Sequence, residues 1–209
     1  MAGFFLTLEG PEGAGKTTHT RLLARVLQQE GYQVVATREP GGTRLGEAVR
    51  TLLLAQDTGA ISPMAETLLY LAARAEHVAR VIRPALETGA VVICDRFLHS
   101  TLAYQGYGRG LPLGVLLELN RAATAGLEPD HTFVLDVDVA EGLQRVGRTR
   151  DRLEAEDISF HQRVRQGFLE LAAREQRVTV VPTGGGIEAT AGLLAGKVKE
   201  VLRAHAGRK

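Results

Sequence analysis

The stretch Gly10-Pro11-Glu12-Gly13-Ala14-Gly15-Lys16-Thr17 decides the fold of this chain. It matches the pattern G-x-x-x-x-G-K-[ST], in which a glycine-rich turn joins a strand to a helix. The surroundings agree, because the apolar run Phe4 to Leu8 precedes the turn and a helical pattern from Lys16 to Glu30 follows it. Backbone N–H groups of such a turn converge on phosphate, and the helix N-terminus adds positive partial charge. The stretch therefore predicts a phosphate-binding loop, or P-loop.

Two side chains of this loop are expected to do chemistry. Lys16 should reach the β- and γ-phosphates of a nucleoside triphosphate, and Thr17 should place its hydroxyl on Mg²⁺. The predicted ATP-binding set is Gly10, Pro11, Glu12, Gly13, Ala14, Gly15, Lys16, Thr17 and Thr18. A plain glycine-rich turn is the competing interpretation, and the order of strand, turn and helix argues against it.

Further patterns along the chain predict the architecture. Four more short runs rich in β-branched or aromatic residues indicate strands, at 33–37, 90–95, 131–137 and 178–181. Helical stretches separate them, including Pro63 to Glu87 and Ile187 to Ala204. This alternation predicts an α/β fold with a five-stranded, mainly parallel sheet and helices on both faces. No linker divides the chain, so we expect a single domain over 1–209, with an arginine-dense lid segment at about 145–154.

Composition limits the possible partners and location. The 209 residues are 44% hydrophobic and 23% charged, with a formal net charge of +1, so the chain carries no bulk charge for binding nucleic acid. The single cysteine, Cys94, allows no intramolecular disulfide and fits a reducing compartment. No stretch approaches the roughly 20 apolar residues that span a bilayer. We therefore expect a cytoplasmic protein with neither nucleic acid nor membrane as a partner.

The third predicted strand ends in Asp95-Arg96, at the edge where open α/β sheets bind ligands. Asp95 suits Mg²⁺ or its water ligands, which makes Thr17 and Asp95 the candidate metal set. Arg96 suits an acceptor phosphate or the transferring phosphoryl group. A surface ion pair at the strand end is the alternative. The absence of an Asn-Lys-x-Asp motif counts against a GTPase.

Five motifs occur together along the chain: EGPEGAGKTT (9–18), REPGGT (38–43), DRFLHS (95–100), AYQG (103–106) and DRLE (151–154). In these motifs the chain resembles bacterial thymidylate kinases, over Phe4 to about Glu175. The resemblance implies a P-loop kinase fold with a lid, transfer of the γ-phosphoryl group of ATP to dTMP for dTTP synthesis, Mg²⁺ as cofactor and a homodimer. Another P-loop nucleotide or deoxynucleoside kinase, and a nucleotide-binding regulator without turnover, are the alternatives.

The resemblance also implies residue roles for the acceptor. Glu12 is expected to hold the sugar hydroxyl, Tyr70 to stack on thymine, Arg74 to lie near the base, and Tyr104 to crowd the sugar 2′ position and favour deoxyribose. Family members usually carry Phe at the position of Tyr70, and helical spacing alone favours core packing for this ring. Pro40 is a candidate for a cis peptide bond. The predicted substrate-binding set is Glu12, Arg38, Pro40, Tyr70, Arg74, Arg96, Ser100, Thr101, Tyr104 and Gln105.

Charge balance assigns the catalytic set. Two nucleotides bring about six negative charges into one cleft, so several cations must offset them. Gly13 stands where some thymidylate kinases carry an arginine, and the resemblance therefore implies that the transition-state arginine comes from the lid. No general base is required, because the acceptor phosphate is mostly dianionic at neutral pH. The predicted catalytic residues are Lys16, Asp95, Arg96, Arg148, Arg150 and Arg152.

Overall fold

The computed structural model describes residues 3–147 and 151–207. Its sheet has the strand order β2-β3-β1-β4-β5, and every pairing between neighbours is parallel. The strands are β1 (Phe4–Glu9), β2 (Val34–Arg38), β3 (Val91–Asp95), β4 (His131–Asp136) and β5 (Val178–Pro182). The predicted α/β fold is confirmed, and each predicted strand lies within one or two residues of the observed bounds.

Helices connect the strands and cover both faces of the sheet. They are α1 (Lys16–Gln29), α2 (Arg44–Leu54), α3 (Pro63–His77), α4 (Arg83–Glu87), α5 (Leu98–Thr101), α6 (Leu113–Thr124), α7 (Val139–Val146), α8 (Ile158–Arg174) and α9 (Ile187–Ala206). A 3₁₀ turn at Gln56–Thr58 and π-helical turns at Val78–Ile82 and Leu102–Gly108 complete the set for the described residues. None of these helices is both long enough and apolar enough to cross a bilayer.

The predicted helix 63–87 is continuous, but a π-helical turn interrupts its α-helical geometry near the middle. The π-helical turn Val78–Ile82 separates α3 from α4, and Pro84 is the second residue after it. Proline lacks a backbone N–H and its ring crowds the carbonyl four residues earlier, here that of Arg80 within the wide turn. The break therefore has a local cause that the sequence contains.

Strand β1 is buried on both faces, as a central parallel strand must be. Phe4, Leu6 and Leu8 pack against α1 and α9 on one face, in one large cluster of buried side chains. Phe5 points to the other face and joins Phe97 in a second cluster. The sheet is thus fixed from both sides, which gives its edges a rigid geometry.

The strand register brings the functional ends of three strands to one level. Leu8 of β1 lies opposite Asp95 of β3, and Arg38 of β2 lies opposite Asp95 on the other side. Since parallel strands all end at the same edge, the loops after β1, β2 and β3 open beside one another. This edge carries the P-loop, the loop at Glu39-Pro40 and the Asp95-Arg96 pair.

Candidate active site

A cavity of about 740 Å³ opens at this edge of the sheet. Its volume lies within the range of small-molecule sites. Most of the predicted binding residues line it, namely Glu12 to Thr18, Arg38, Pro40, Tyr70, Arg74, Asp95, Arg96, Ser100, Thr101, Tyr104 and Gln105. Gly10, Pro11 and Arg152 do not line the cavity, and Arg148 and Arg150 lie outside the described residues.

The backbone of the P-loop excludes a side chain at its centre. Gly13 has a φ of 69°, and a Cβ atom placed there would lie 2.0 Å from the backbone oxygen of Gly142. A side chain at this position would require both strain and displacement of α7. The loop of this chain therefore has no room for an arginine at position 13.

Lys16 is held by the loop itself. Its Nζ donates to the backbone oxygens of Gly10 at 3.0 Å and Pro11 at 2.8 Å, and the residue is only 7% exposed. Burial and the nearby charge of Arg96 lower the pKa of Lys16 to about 8. The ammonium group thus lies within the P-loop, and it loses its proton at a lower pH than the ammonium group of an exposed lysine does.

Thr17 in the first turn of α1 contacts Asp95, the last residue of β3. The hydroxyl of Thr17 donates to the carboxylate of Asp95 at 2.6 Å, although the residues are 78 positions apart. Hydroxyl and carboxylate oxygens are donors that hard divalent cations prefer. The structure therefore fits the predicted metal pair.

Arg96 is the centre of a hydrogen-bond network beside the P-loop. It adopts a φ of 71°, which is uncommon for a residue with a side chain and costs on the order of 1 kcal/mol. Its guanidinium donates to Glu12 at 2.7 Å and to Gly10 and Ser100 at 3.2 Å each, and it lies 4.9 Å over the ring of Tyr104. These contacts hold the strained backbone in place and direct Arg96 into the cavity wall.

Glu12 joins the P-loop to the opposite wall. One carboxylate oxygen accepts from both Arg96 and the hydroxyl of Tyr104, the latter at 2.6 Å. Burial alone would raise the pKa of Glu12, but the charges of Arg96 and Lys16 and the bond from Tyr104 outweigh burial and bring the pKa to about 2. Glu12 is therefore ionised throughout the neutral range.

Glu9 is a buried residue that the sequence reasoning did not single out. Its carboxylate accepts from the backbone N–H groups of Phe97 at 2.8 Å and Ser100 at 3.2 Å, and from the hydroxyl of Ser100 at 2.5 Å. Ser100 thus gives its hydroxyl hydrogen to Glu9 while its oxygen accepts from Arg96. An acidic residue at the end of a mostly apolar strand was the available signal.

The loop after β2 forms the next part of the wall. The Glu39-Pro40 peptide bond is cis, as predicted. Arg38 is exposed, and its Nη2 lies 2.8 and 3.0 Å from the two carboxylate oxygens of Glu47. Arg50 donates to the carbonyl of Pro40 at 3.1 Å and lines the cavity, so it adds a cation that the sequence reasoning missed.

Tyr70 and Arg74 lie one helical turn apart on α3, and both line the cavity. Tyr70 is half buried, which raises the pKa of its hydroxyl. Arg74 is fully buried and donates to Glu39 at 2.7 Å, Thr101 at 2.8 Å and the Phe97 carbonyl at 2.8 Å, and also to Asn120. Among the residues that the structure describes, those four bonds leave one of the five guanidinium N–H groups for a ligand.

The DRLE motif forms a closed turn. Asp151 accepts from the backbone N–H groups of Leu153 and Glu154 at 2.9 Å each, and Glu154 accepts from the N–H of Asp151 at 2.9 Å. This reciprocal pattern is a capping box. Arg152 points away from the cavity, because it donates to Glu66 at 2.5 Å and to the carbonyl of Leu53 at 2.8 Å.

Arg145 and His19 line the cavity on the side of α1 and α7. Arg145 donates to the carbonyls of Gly13 and Thr183 at 3.3 Å each. Burial, and after it the charge of Arg145, lowers the pKa of His19. The guanidinium of Arg145 and the imidazole of His19, which the lowered pKa keeps neutral, therefore lie side by side next to the P-loop.

Comparison with known proteins gives one consistent result. A family model described as "Thymidylate kinase" matches residues 8–192. The thymidylate kinase of Synechococcus sp. (strain JA-3-3Ab) is 58% identical over 182 residues, which cover 87% of this chain and 88% of that protein. The thymidylate kinase of Gloeobacter violaceus is 55% identical over 192 residues, 90% of each. The crystal structure of thymidylate kinase from Ehrlichia chaffeensis superposes with a TM-score of 0.78 at 37% identity, covering 95% of this chain and 99% of that one.

Proposed function

This chain belongs to the thymidylate kinase family, and from that membership we propose that it transfers the γ-phosphoryl group of ATP to dTMP, giving ADP and dTDP for dTTP synthesis. The observation that carries the proposal is one continuous cavity, which is lined on one side by a phosphate-binding loop and on another by aromatic and arginine side chains. The P-loop with Lys16 forms one wall, and Tyr70, Arg74 and Tyr104 form another. A donor and an acceptor can therefore occupy a common site.

The reaction needs positioning and charge rather than proton transfer. An oxygen of the acceptor phosphate forms a bond to the γ-phosphorus, while the bond from that phosphorus to the bridging oxygen breaks and its electron pair leaves with ADP. In our proposal Lys16 contacts the donor phosphates and Arg96 contacts the acceptor phosphate. Both groups are fixed before the substrates arrive, which reduces the reorganisation that the transition state requires.

We further propose that Thr17 and Asp95 hold Mg²⁺. Their oxygens already lie 2.6 Å apart at the cavity wall. When bound, Mg²⁺ offsets negative charge on the phosphate oxygens. Asp95 then serves as a ligand, directly or through water, and not as a base.

The transition-state arginine is assigned to the lid. Gly13 leaves no space in the P-loop for such a residue. The four arginines of the predicted lid are Arg145, Arg148, Arg150 and Arg152, and the last three were predicted to be catalytic. Of these three, we assign to Arg148 and Arg150 the positive charge that stabilises the transferring phosphoryl group. Arg152 supports them indirectly, because its bonds to Glu66 and Leu53 anchor the end of the lid segment. In related phosphoryl transfers, an arginine that contacts the transferring group increases kcat about 10³- to 10⁵-fold.

A homodimer in the cytoplasm completes the proposal. Exposed apolar side chains occur on α2, α3 and α6, where Leu45, Leu52, Leu68 and Leu117 are each 45–51% exposed. Apolar helix faces of this kind favour self-association. Light scattering of the wild type and of Leu68→Glu tests it: the wild type should have twice the chain mass and the variant should be smaller, whereas a monomeric wild type would contradict the proposal.

The activity is tested by measuring ADP production from Mg-ATP with dTMP, dUMP, TMP, AMP, GMP, CMP and thymidine offered separately. A clear preference for dTMP is expected. Preference for another acceptor would retain the kinase chemistry and reject the thymidylate assignment. No turnover with any acceptor would favour a nucleotide-binding regulator.

A further inference from the structure

Three side chains of different chemistry meet beneath the acceptor side of the cavity. They are Glu39, which follows β2, His77, which ends α3, and Cys94 of β3. A carboxylate oxygen, a ring nitrogen and the sulfur, one atom from each residue, all lie within 4.8 Å of one another. The three residues are buried, with exposed fractions of 5%, 0% and 0%. The group thus brings an oxygen, a nitrogen and a sulfur donor together inside the protein.

The hydrogen bonds around these side chains suit a bound ion. Nδ1 of His77 lies 3.0 Å from Oε1 of Glu39, and an ion between these two atoms would replace that bond. The far side of each group has a partner of its own. Arg74 donates to Oε2 of Glu39 at 2.7 Å, and Nε2 of His77 lies 2.7 Å from the hydroxyl of Thr37. Arg74 and Thr37 would therefore remain as outer partners, which orient the ligands in metal sites.

The electrostatic field at the sulfur of Cys94 favours a cation. Burial raises the pKa of this thiol well above its ordinary range, and the negative charges of Glu39, Asp95 and Glu9 raise it further. The positive charge of Arg74 acts in the opposite direction, but does not outweigh them. Negative charges that keep a proton on the sulfur also attract a metal ion that takes the place of this proton.

The set of donor atoms determines the kind of ion. Thiolate, imidazole and carboxylate are ligands of Zn²⁺, whereas Mg²⁺ takes oxygen ligands. Neighbouring donors around tetrahedral Zn²⁺ stand about 3–4 Å apart, so atoms that already lie within 4.8 Å need to move by about 1 Å. The magnesium pair Thr17 and Asp95 offers oxygens, so the two sites differ in the ion that they prefer.

We propose that Glu39, His77 and Cys94 form a binding site for Zn²⁺, with a water molecule as the fourth ligand. The sulfur of Cys94 forms a bond to the ion, and the thiol proton leaves to solvent. The proton of His77 moves from Nδ1 to Nε2, where the oxygen of Thr37 accepts it as a hydrogen bond. The ion joins β3, the end of α3 and the loop after β2, and its binding does not depend on the proposed kinase activity.

Co²⁺ is the first probe, because it occupies Zn²⁺ sites and its bond to a thiolate gives a strong absorption in the near ultraviolet. Cys94 is the only cysteine of the chain, so this absorption can come from no other residue. The reduced wild-type protein is titrated without nucleotide and in an excess of Mg²⁺, which fills sites made of oxygen alone. One equivalent of Co²⁺ should produce the absorption, and one equivalent of Zn²⁺ should then abolish it.

Competition with a chromophoric chelator then measures the affinity for Zn²⁺ in four variants. Cys94→Ala and His77→Gln each remove a ligand and should weaken binding by more than about 100-fold, since the loss of an outer partner alone costs about 10- to 100-fold. Thr37→Val removes such an outer partner and should cost about 10-fold. His99→Gln is the matched control, because His99 is also buried and pairs with a glutamate, Glu175, at 3.2 Å. Its affinity for Zn²⁺ should equal that of the wild type.

Three results would overturn the inference. The first is a wild-type protein without near-ultraviolet absorption in the presence of Co²⁺, and this result decides the question even if a variant does not fold. The second is a Cys94→Ala variant that binds Zn²⁺ as tightly as the wild type, since the ion would then be held elsewhere. The third is an equal loss of affinity in His99→Gln, which would trace all the losses to general destabilisation of the fold.

Discussion

Binding of ATP should weaken steeply above pH 8, because Lys16 loses its proton there. Burial and Arg96 bring the pKa of Lys16 from 10.5 to about 8. If only the charged form binds the phosphates, the apparent Kd is inversely proportional to the fraction of Lys16 that is charged. That fraction falls about tenfold between pH 7 and pH 9, so the apparent Kd rises about tenfold. An exposed lysine, with its pKa near 10.4, would leave the Kd almost constant over that interval.

Isothermal titration of the wild type with Mg-ATP, in the absence of an acceptor, measures this effect between pH 7 and 9.5. Near pH 8 binding should also take up about half a proton, which is detected by repeating the titration in buffers of different ionisation enthalpy. Arg96→Gln is the companion variant: removing this positive charge should move the whole profile to higher pH. A flat wild-type profile up to pH 9.5 would refute the reasoning about Lys16.

Three further substitutions test other parts of the site. Gly13→Ala should lower the free energy of unfolding by about 2 kcal/mol or more, because the added Cβ would meet the backbone oxygen of Gly142. Gly184→Ala is the control, since a Cβ there meets open space, and its melting temperature should stay close to that of the wild type. Arg148→Ala should reduce kcat far more than it reduces the affinity for ATP. Arg152→Ala should instead lower the melting temperature and raise the KM for dTMP. If both variants lowered kcat equally and changed nothing else, the different roles that we assign to the two arginines would be wrong. Glu9→Gln should lower the free energy of unfolding by about 1–3 kcal/mol in denaturant titrations and should also reduce kcat. An unchanged kcat would show that Glu9 does not help to position Arg96.

The sequence predicted those features that local patterns encode. The P-loop and the strand ends follow from short-range rules, whereas the place of Tyr70 and Arg74 in the site came from the resemblance. The structure places all of them at one cavity. The proximity of Thr17 and Asp95 was predictable too, because the helix after the P-loop begins beside the edge of the sheet at which β3 ends with Asp95.

Contacts between distant segments were not predictable in the same way. The bond between Glu66 and Arg152 joins residues 86 positions apart, and nothing near either residue indicates its partner. Arg74 illustrates a related difficulty: the resemblance indicated a place near the base, but the four internal hydrogen bonds of its guanidinium depend on residues from other elements. Such pairings require the three-dimensional register, which a single sequence does not give.

The position of Glu12 has a consequence for how the two substrates influence each other. Its backbone belongs to the donor loop, yet among residues 3–147 and 151–207 its carboxylate accepts hydrogen bonds from Arg96 and Tyr104 on the acceptor wall. A ligand that shifts one of these partners changes the energy of the loop that the other ligand uses. Thermodynamic reciprocity then requires ATP and dTMP to alter each other's affinity by the same factor. Glu12 would make the two half-sites a coupled pair rather than two independent pockets.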